Sequence, residues 1–180
     1  EIGSGLVGSE MCIRDRSGAE IELIGVDDKE YILKGITDKL RRKYDYIILD
    51  CPPSLNMLTI NALTAATSVL VPIQCEYYAL EGLSQLIHTI DLVKDRLNKK
   101  LAMEGVVFTM YDARTNLSLQ VVENVKDNLQ QNIYKTIIPR NVRLAEAPSY
   151  GQPINIYDSR SAGAEAYRLL AEEVINREDK

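Results

Sequence analysis

Asp50 has the clearest chemical setting in this sequence. Four apolar residues, Tyr46 to Leu49, run straight into it. Such a run reads as a buried parallel strand, which would hold one carboxylate stiffly at the carboxyl edge of a sheet. There it can hold Mg2+ directly or through water. A strand-end aspartate also serves as a cap or turn residue, and the run alone does not choose between the two. Cys51, Pro52, Pro53 and Ser54 follow at once. Two prolines end the strand, because proline has no N–H to give to a ladder, and they fix the backbone beside the carboxylate. Ser54 can hydrogen-bond within that loop, but no histidine near it in sequence makes it a nucleophile.

A second candidate chemistry is cationic. No acidic residue lies between Asp127 and Glu146, a window that holds Lys135, Arg140 and Arg143. Arg114 falls in the loop after the apolar run at residues 105–110. Guanidinium groups are permanently charged and grip phosphate oxygens in pairs, so these arginines suit a nucleic-acid backbone. The same arginines can instead pair with Asp112, Glu146 or other local acids. His88 is the sole histidine, and Cys12, Cys51 and Cys75 are widely spaced without a C-x-x-C pair. That excludes a disulfide framework or a zinc site and points to a reducing compartment. The formal net charge of −5 means that any nucleic-acid contact comes from a local patch. No apolar run reaches the length of a membrane helix.

The elements that must position these residues are legible as periodicity. Residues 30–43 read as an amphipathic helix ending in cations that suit its carboxyl-terminal dipole. Residues 46–50 read as a buried strand, 56–66 as a helix and 68–73 as a second buried strand. A long helix follows at 79–97, with Leu80, Leu83, Ile87, Ile90 and Leu97 on one face. A third strand is expected at 105–110. Leu117, Val121, Val125 and Leu129 make the face of the next helix, and 133–138 a fourth strand. Ser161 can cap a final helix running to about residue 175. Strands alternating with helices predict an α/β fold, a mostly parallel sheet with helices on both faces. Ligands of such folds bind at the carboxyl ends of the strands.

Three segments carry a family resemblance: YDYIILDCPPSLNMLTINALTAATSVLVPIQCEYYALEGLSQL, GVVFTMYDARTNLSLQVVENV and YKTIIPRNVRLAEAPSYGQPINIYDSRSAGAEAY. In order and spacing they closely resemble the ParA/Soj partition ATPases, a deviant Walker A group of P-loop proteins, over residues 17–180. The resemblance implies Mg-ATP binding and an ATP-dependent homodimer that binds DNA without sequence preference. It further implies hydrolysis stimulated by a ParB-type centromere-binding protein, in the cytoplasm at the nucleoid and without a membrane. Carried over by position, Asp50 is the Walker B aspartate, catalytic and a magnesium ligand, and Cys51, Pro52, Pro53 and Ser54 form the second switch loop. Met110 and Asp112 lie at the strand end leading to the nucleotide base, and Pro139 and Asn141 lie against the adenine. Arg114 and Arg143 match arginines that contact DNA.

The family's phosphate loop is a departure, because no G-x-x-x-x-G-K-[ST] occurs here and no lysine accompanies Gly3, Gly5 and Gly8. The expectation is therefore a truncated, inactive fragment of a parent ATPase, missing its first strand and P-loop helix. A nucleotide-free DNA-binding module is the alternative. A MinD-like membrane ATPase would need a basic amphipathic tail, whereas LLAEEVINREDK is rich in acids. A relative with a bridging iron–sulfur cluster would need motifs around its cysteines that Cys51 and Cys75 lack.

Residues 1–16 show neither helical nor strand periodicity and have no signal-peptide order. Met11 to Arg16 match the translation of ATGTGTATAAGAGACAG, a transposon end used in sequencing libraries: Met-Cys-Ile-Arg-Asp, then an AG-initial codon. The expectation is an adapter-derived or disordered tail at 1–16, with 17–180 the C-terminal portion of one ATPase domain.

Overall fold

The computed structural model describes residue 18 and residues 21–52, 56–77, 79–128 and 132–178. The expected tail at 1–16 lies outside them. The chain divides into two compact units, one of Glu1–Val69 with Ser84–Ala102, the other of Leu70–Leu83 with Met103–Lys180.

In the first unit a 3-10 turn at Lys29–Tyr31 leads into α1 (Ile32–Leu40), and α2 spans Met57–Ala65. Asn56 starts α2: its backbone is extended and its side-chain oxygen accepts the Thr59 N–H at 3.1 Å, satisfying one of the orphan donors of a helix start. Asn61 ties the two helices together. Its Nδ2 donates to the Lys29 carbonyl at 2.8 Å, and its Oδ1 accepts the Leu33 N–H at 3.2 Å. Asn98 closes the other end of α2, donating to the carbonyls of Leu63 at 3.0 Å and Ala66 at 2.8 Å, which have no partner within the helix. Asn98 follows α3 (Ala79–Arg96), whose residues 84–96 belong to this unit.

The buried strand expected at 46–50 is not formed. The run carries no strand assignment, no described strand pairs with it, and Ile48 is 89% exposed. Apolar, β-prone residues supply only half of a ladder. A neighbour must supply the rest, and among the described residues none does.

The second unit holds the sheet, β1 (Ser68–Gln74, from Leu70 in this unit), β2 (Ala102–Tyr111) and β3 (Ile133–Pro139), in the order β1-β2-β3. β2 and β3 are parallel. Their pairing is broken twice. From Val106 to Phe108 β2 advances two residues while β3 advances four, from Ile133 to Ile137; from Phe108 to Tyr111 β2 advances three while β3 advances two, to Pro139. Both are bulges, where extra residues lose their ladder partners and bend the strand. α4 covers Asn116–Asn128 and α7 covers Ala162–Glu178. α7 packs against β3, and Val107, Tyr134, Ile138 and Ala166 form a core joined by Leu70, Leu144, Leu170 and Val174. Ser161 caps α7 as expected, its Oγ accepting the Ala164 N–H at 3.1 Å.

α4 turns a slightly different face inward from the one expected. Ser118, Val121, Val122 and Val125 are buried while Leu117 is 42% exposed, and Leu129 lies outside the described residues. Two short helices, α5 (Val142–Glu146) and α6 (Ile154–Tyr157), flank a 3-10 turn at Ala147–Tyr150. Elements of four or five residues are too short to show a period. α5 is pinned to α7 by close approach: a Cβ on Gly163 would lie 2.5 Å from Leu144 Cγ.

Candidate functional site

In the first unit Asp50 ends the irregular run 46–50 and is exposed. It lies on an open pocket of about 790 Å3 shared with Ile32, Ile36, Leu49, Pro52 and Leu58. Cys51 is exposed, with its Sγ 3.6 Å from the Leu49 carbonyl. Pro53 and Ser54, the rest of the expected switch loop, lie outside the described residues. No group of three or more His, Cys, Asp and Glu among the described residues could enclose a metal ion. A single exposed carboxylate still fits magnesium, which keeps several waters and takes most of its other ligands from phosphates. Asp50 is thus one residue of this unit that could hold Mg2+, beside other exposed carboxylates such as Glu22 on the same pocket, and the metal would supply charge neutralisation to a bound phosphate chain.

In the second unit the register Tyr111↔Pro139 sets the ends of β2 and β3 side by side, and the Arg140 N–H closes the gap on the Tyr111 carbonyl at 2.8 Å. The four expected base-contact residues, Met110, Asp112, Pro139 and Asn141, therefore gather at one carboxyl edge of neighbouring parallel strands. Met110 has a left-handed backbone, φ 54°, where a residue with a side chain is uncommon. It occupies the second bulge, a position that glycine usually fills in bulges with a left-handed residue. Asn141 is the N-cap of α5, its Oδ1 accepting the Arg143 N–H at 2.8 Å. That leaves its amide N–H groups as the donors for a ligand.

Asp112 is mostly buried beneath Arg114. Its Oδ1 accepts the Arg114 backbone N–H at 3.0 Å and Nε at 2.9 Å, and its Oδ2 accepts Nη2 at 2.7 Å. These hydrogen bonds hold the Asp112 carboxyl well below the usual carboxylate range. The loop behind is stiff, since Ser118 Oγ accepts the Asp112 N–H at 3.2 Å and the Thr115 hydroxyl at 3.0 Å. Arg143 Nη1 donates to Glu146 Oε2 at 2.9 Å, and its Nε lies 3.5 Å from Asp158 Oδ2. Tyr157 donates its hydroxyl to the same Glu146 oxygen at 3.1 Å, and its ring stacks on Tyr150 with centroids 5.1 Å apart. Hydrogen bonds from Arg143 and then Tyr157 lower the Glu146 pKa.

Both arginines expected to meet DNA are thus paired with the local acids named as their alternative partners. Asp50 belongs to the first unit and the other candidates to the second, and each group stands on its own geometry. Sequence reasoning missed Ser118, Tyr157 and Asp158. Thr115, three residues before Ser118 and just ahead of the apolar period of α4, is the signal that marks the first. Nothing local marks the other two, because Arg143 meets them only across the turn between α5 and α6.

A family model described as an AAA domain matches residues 7–103. The chain is 60% identical over 158 residues to the sporulation initiation inhibitor protein Soj of Bacillus subtilis, covering 88% of this chain and 62% of that protein. It is 55% identical over 164 residues to the chromosome partitioning protein ParA of Myxococcus xanthus, covering 91% of this chain and 58% of that protein. The chain spans about three-fifths of the length of these curated relatives. A crystal structure of cobyrinic acid a,c-diamide synthase from Mycobacterium smegmatis with bound ADP and magnesium superimposes with TM-score 0.78 at 36% identity, covering 92% of this chain and 61% of that one. With the α/β fold in place and these matches spanning its length, the chain belongs to the AAA-domain family that the model describes and, within it, to the ParA/Soj group of P-loop proteins.

Proposed function

We propose that this chain belongs to a chromosome-partitioning ATPase that binds Mg-ATP, pairs into a homodimer around it and then holds DNA without reading its sequence. A ParB-type partner stimulates hydrolysis, and the protein works in the cytoplasm on the nucleoid. Asp50 holds magnesium directly or through water. Cys51 to Ser54 form the switch loop beside it. Met110, Asp112, Pro139 and Asn141 border the base, and Arg114 and Arg143 contact DNA phosphates. The observation that carries this reading is the 60% identity to Soj over 88% of the chain. The exposed position of Asp50 supports it, as does the gathering of the base residues at one strand edge. No helix among the described residues is long and apolar enough to cross a membrane.

The sequence contains no phosphate-gripping G-x-x-x-x-G-K-[ST], whose backbone N–H groups and lysine supply the β- and γ-phosphate contacts. We therefore expect the purified 180-residue chain to hydrolyse no ATP above background. Turnover that disappears on Asp50→Ala would overturn that expectation. In the full-length gene product Asp50→Ala should abolish Mg-dependent hydrolysis while the circular-dichroism spectrum is kept. Wild-type turnover in that variant would reduce Asp50 to a turn residue.

A further inference from the structure

We propose that Glu146 and Asp158 latch Arg143 away from phosphate while Arg114 stands presented to it, so that DNA is engaged in two unequal steps. The proposal rests on the DNA-binding reading of these two arginines and adds how that site is regulated.

A guanidinium offers five N–H donors in a planar fork. Two of its edges present a pair of N–H groups to one anion, the Nε/Nη2 side and the Nη1/Nη2 end. In Arg114 the side edge is taken by Asp112. Its Nη1 bonds no described residue, and the side chain is 87% exposed. The end edge can therefore accept a phosphate in bidentate fashion with the ion pair intact, and the acid below fixes its direction.

Arg143 is held differently. Glu146 Oε2 accepts from Nη1, at the end edge, and Asp158 Oδ2 lies 3.5 Å from Nε, at the side edge. Each edge thus has a carboxylate beside one of its nitrogens, with which an arriving phosphate must compete. The acids do not simply swing aside. Tyr157 bonds Glu146 from a ring stacked on Tyr150, and Asp158 Oδ1 accepts the Arg160 backbone N–H at 3.3 Å. A phosphate engages Arg114 first and gains Arg143 only in competition with carboxylates.

The test uses the full-length gene product with Mg-ATP and a duplex of arbitrary sequence, titrated at several salt concentrations beside melting curves that confirm the fold. Glu146→Gln and Asp158→Asn should each tighten binding about two- to fivefold, the change that releasing an exposed ion pair allows. Tyr157→Phe keeps the stacked ring and the net charge but frees Glu146, and it should shift affinity the same way. In an Arg143→Ala background Glu146→Gln should change nothing. Tightening that persists there would show a general charge effect and overturn the latch. So would weaker or unchanged binding in Glu146→Gln and Tyr157→Phe, which would make the acids supports of the arginine. Absent DNA binding in the wild type, or no loss on Arg143→Ala, would instead remove the DNA reading itself and the latch with it.

Discussion

Glu173 closes the first bulge of β3 on Thr136, its Oε2 accepting both the Thr136 N–H at 2.9 Å and the Thr136 hydroxyl at 2.8 Å. Its Oε1 takes the Lys135 N–H at 2.8 Å and Arg177 Nη2 at 2.9 Å. Arg177 also reaches the Ile133 carbonyl at 2.7 Å and lies over the Tyr134 ring at 3.8 Å. Residues that β2 leaves without ladder partners are thus satisfied from α7. An edge strand whose donors are covered this way is a poor template for another chain.

Glu173→Ala should destabilise the fold by about 1–3 kcal/mol, because it orphans donors in a partly buried place. Burial pushes the Glu173 carboxyl up, but the N–H groups of Lys135 and Thr136, the Thr136 hydroxyl and Arg177 outweigh it, and its pKa falls below the ordinary 4.5. A depressed folded pKa gives stability that is present above 4.5 and is lost as pH falls through the lower folded value. Urea unfolding at neutral pH and again below pH 4.5 should show that loss, and Glu173→Gln should flatten it. An unchanged acid limb in Glu173→Gln would assign the effect to other groups.

Met110 stores strain in its left-handed backbone. Met110→Gly should relieve it and stabilise the fold by about 0.5–1 kcal/mol after glycine's own entropy cost. Met110→Ile should destabilise, since a branched Cβ tolerates that conformation least. Thermal melts of the two variants should move in opposite directions. A parallel shift would mean that the side chain, and not the backbone, sets the energy there.

Cys75 is buried, and burial pushes its thiol up to about 11. The thiolate is the reactive form, so Cys75 should stay unlabelled by iodoacetamide at pH 8 until denaturant is added, while exposed Cys51 is labelled in the native state. Mass mapping of labelled peptides reads both sites. Native labelling of Cys75 at the rate of Cys51 would contradict its enclosure.

Arg114→Ala or Arg143→Ala in the full-length gene product with ATP should weaken binding to every duplex alike. Each phosphate contact removed should reduce the log–log salt slope by about 0.9, so a homodimer can lose up to about two units. ATP binding and dimerisation should be unchanged. If the arginines serve only their local acids, melting temperatures will fall and the salt slope will not move.

The long elements were legible because burial leaves a period. Val121 and Val125 on α4, and Leu83 and Ile90 on α3, are buried as their spacing predicts. Ser118 was hidden among them because a small polar residue at a helix start reads as a solvent position until its partners, Thr115 and Asp112, are seen. Residues 46–50 misled for the opposite reason: Ile47 and Ile48 have strand chemistry, but pairing is a property of two segments. At the site, the sequence placed Asp112 and Arg114 just after β2 but could not show that they form a fork. That depends on the loop turning so that the Asp112 side chain meets the backbone N–H two residues on, which no side-chain pattern announces.

The two bulges differ in parity. β3 takes up an even number of extra residues against β2, whereas β2 takes up an odd one beside Met110. Side chains alternate along a strand with a period of two, so an even insertion keeps every later residue on its side and an odd insertion exchanges the sides. Tyr111 therefore stands opposite Pro139, where an unbroken register from Phe108 would have set Met110. In a redesigned segment between Phe108 and Asp112, shortening by one would restore an unbroken register against Pro139, and shortening by two would move the odd residue to β3.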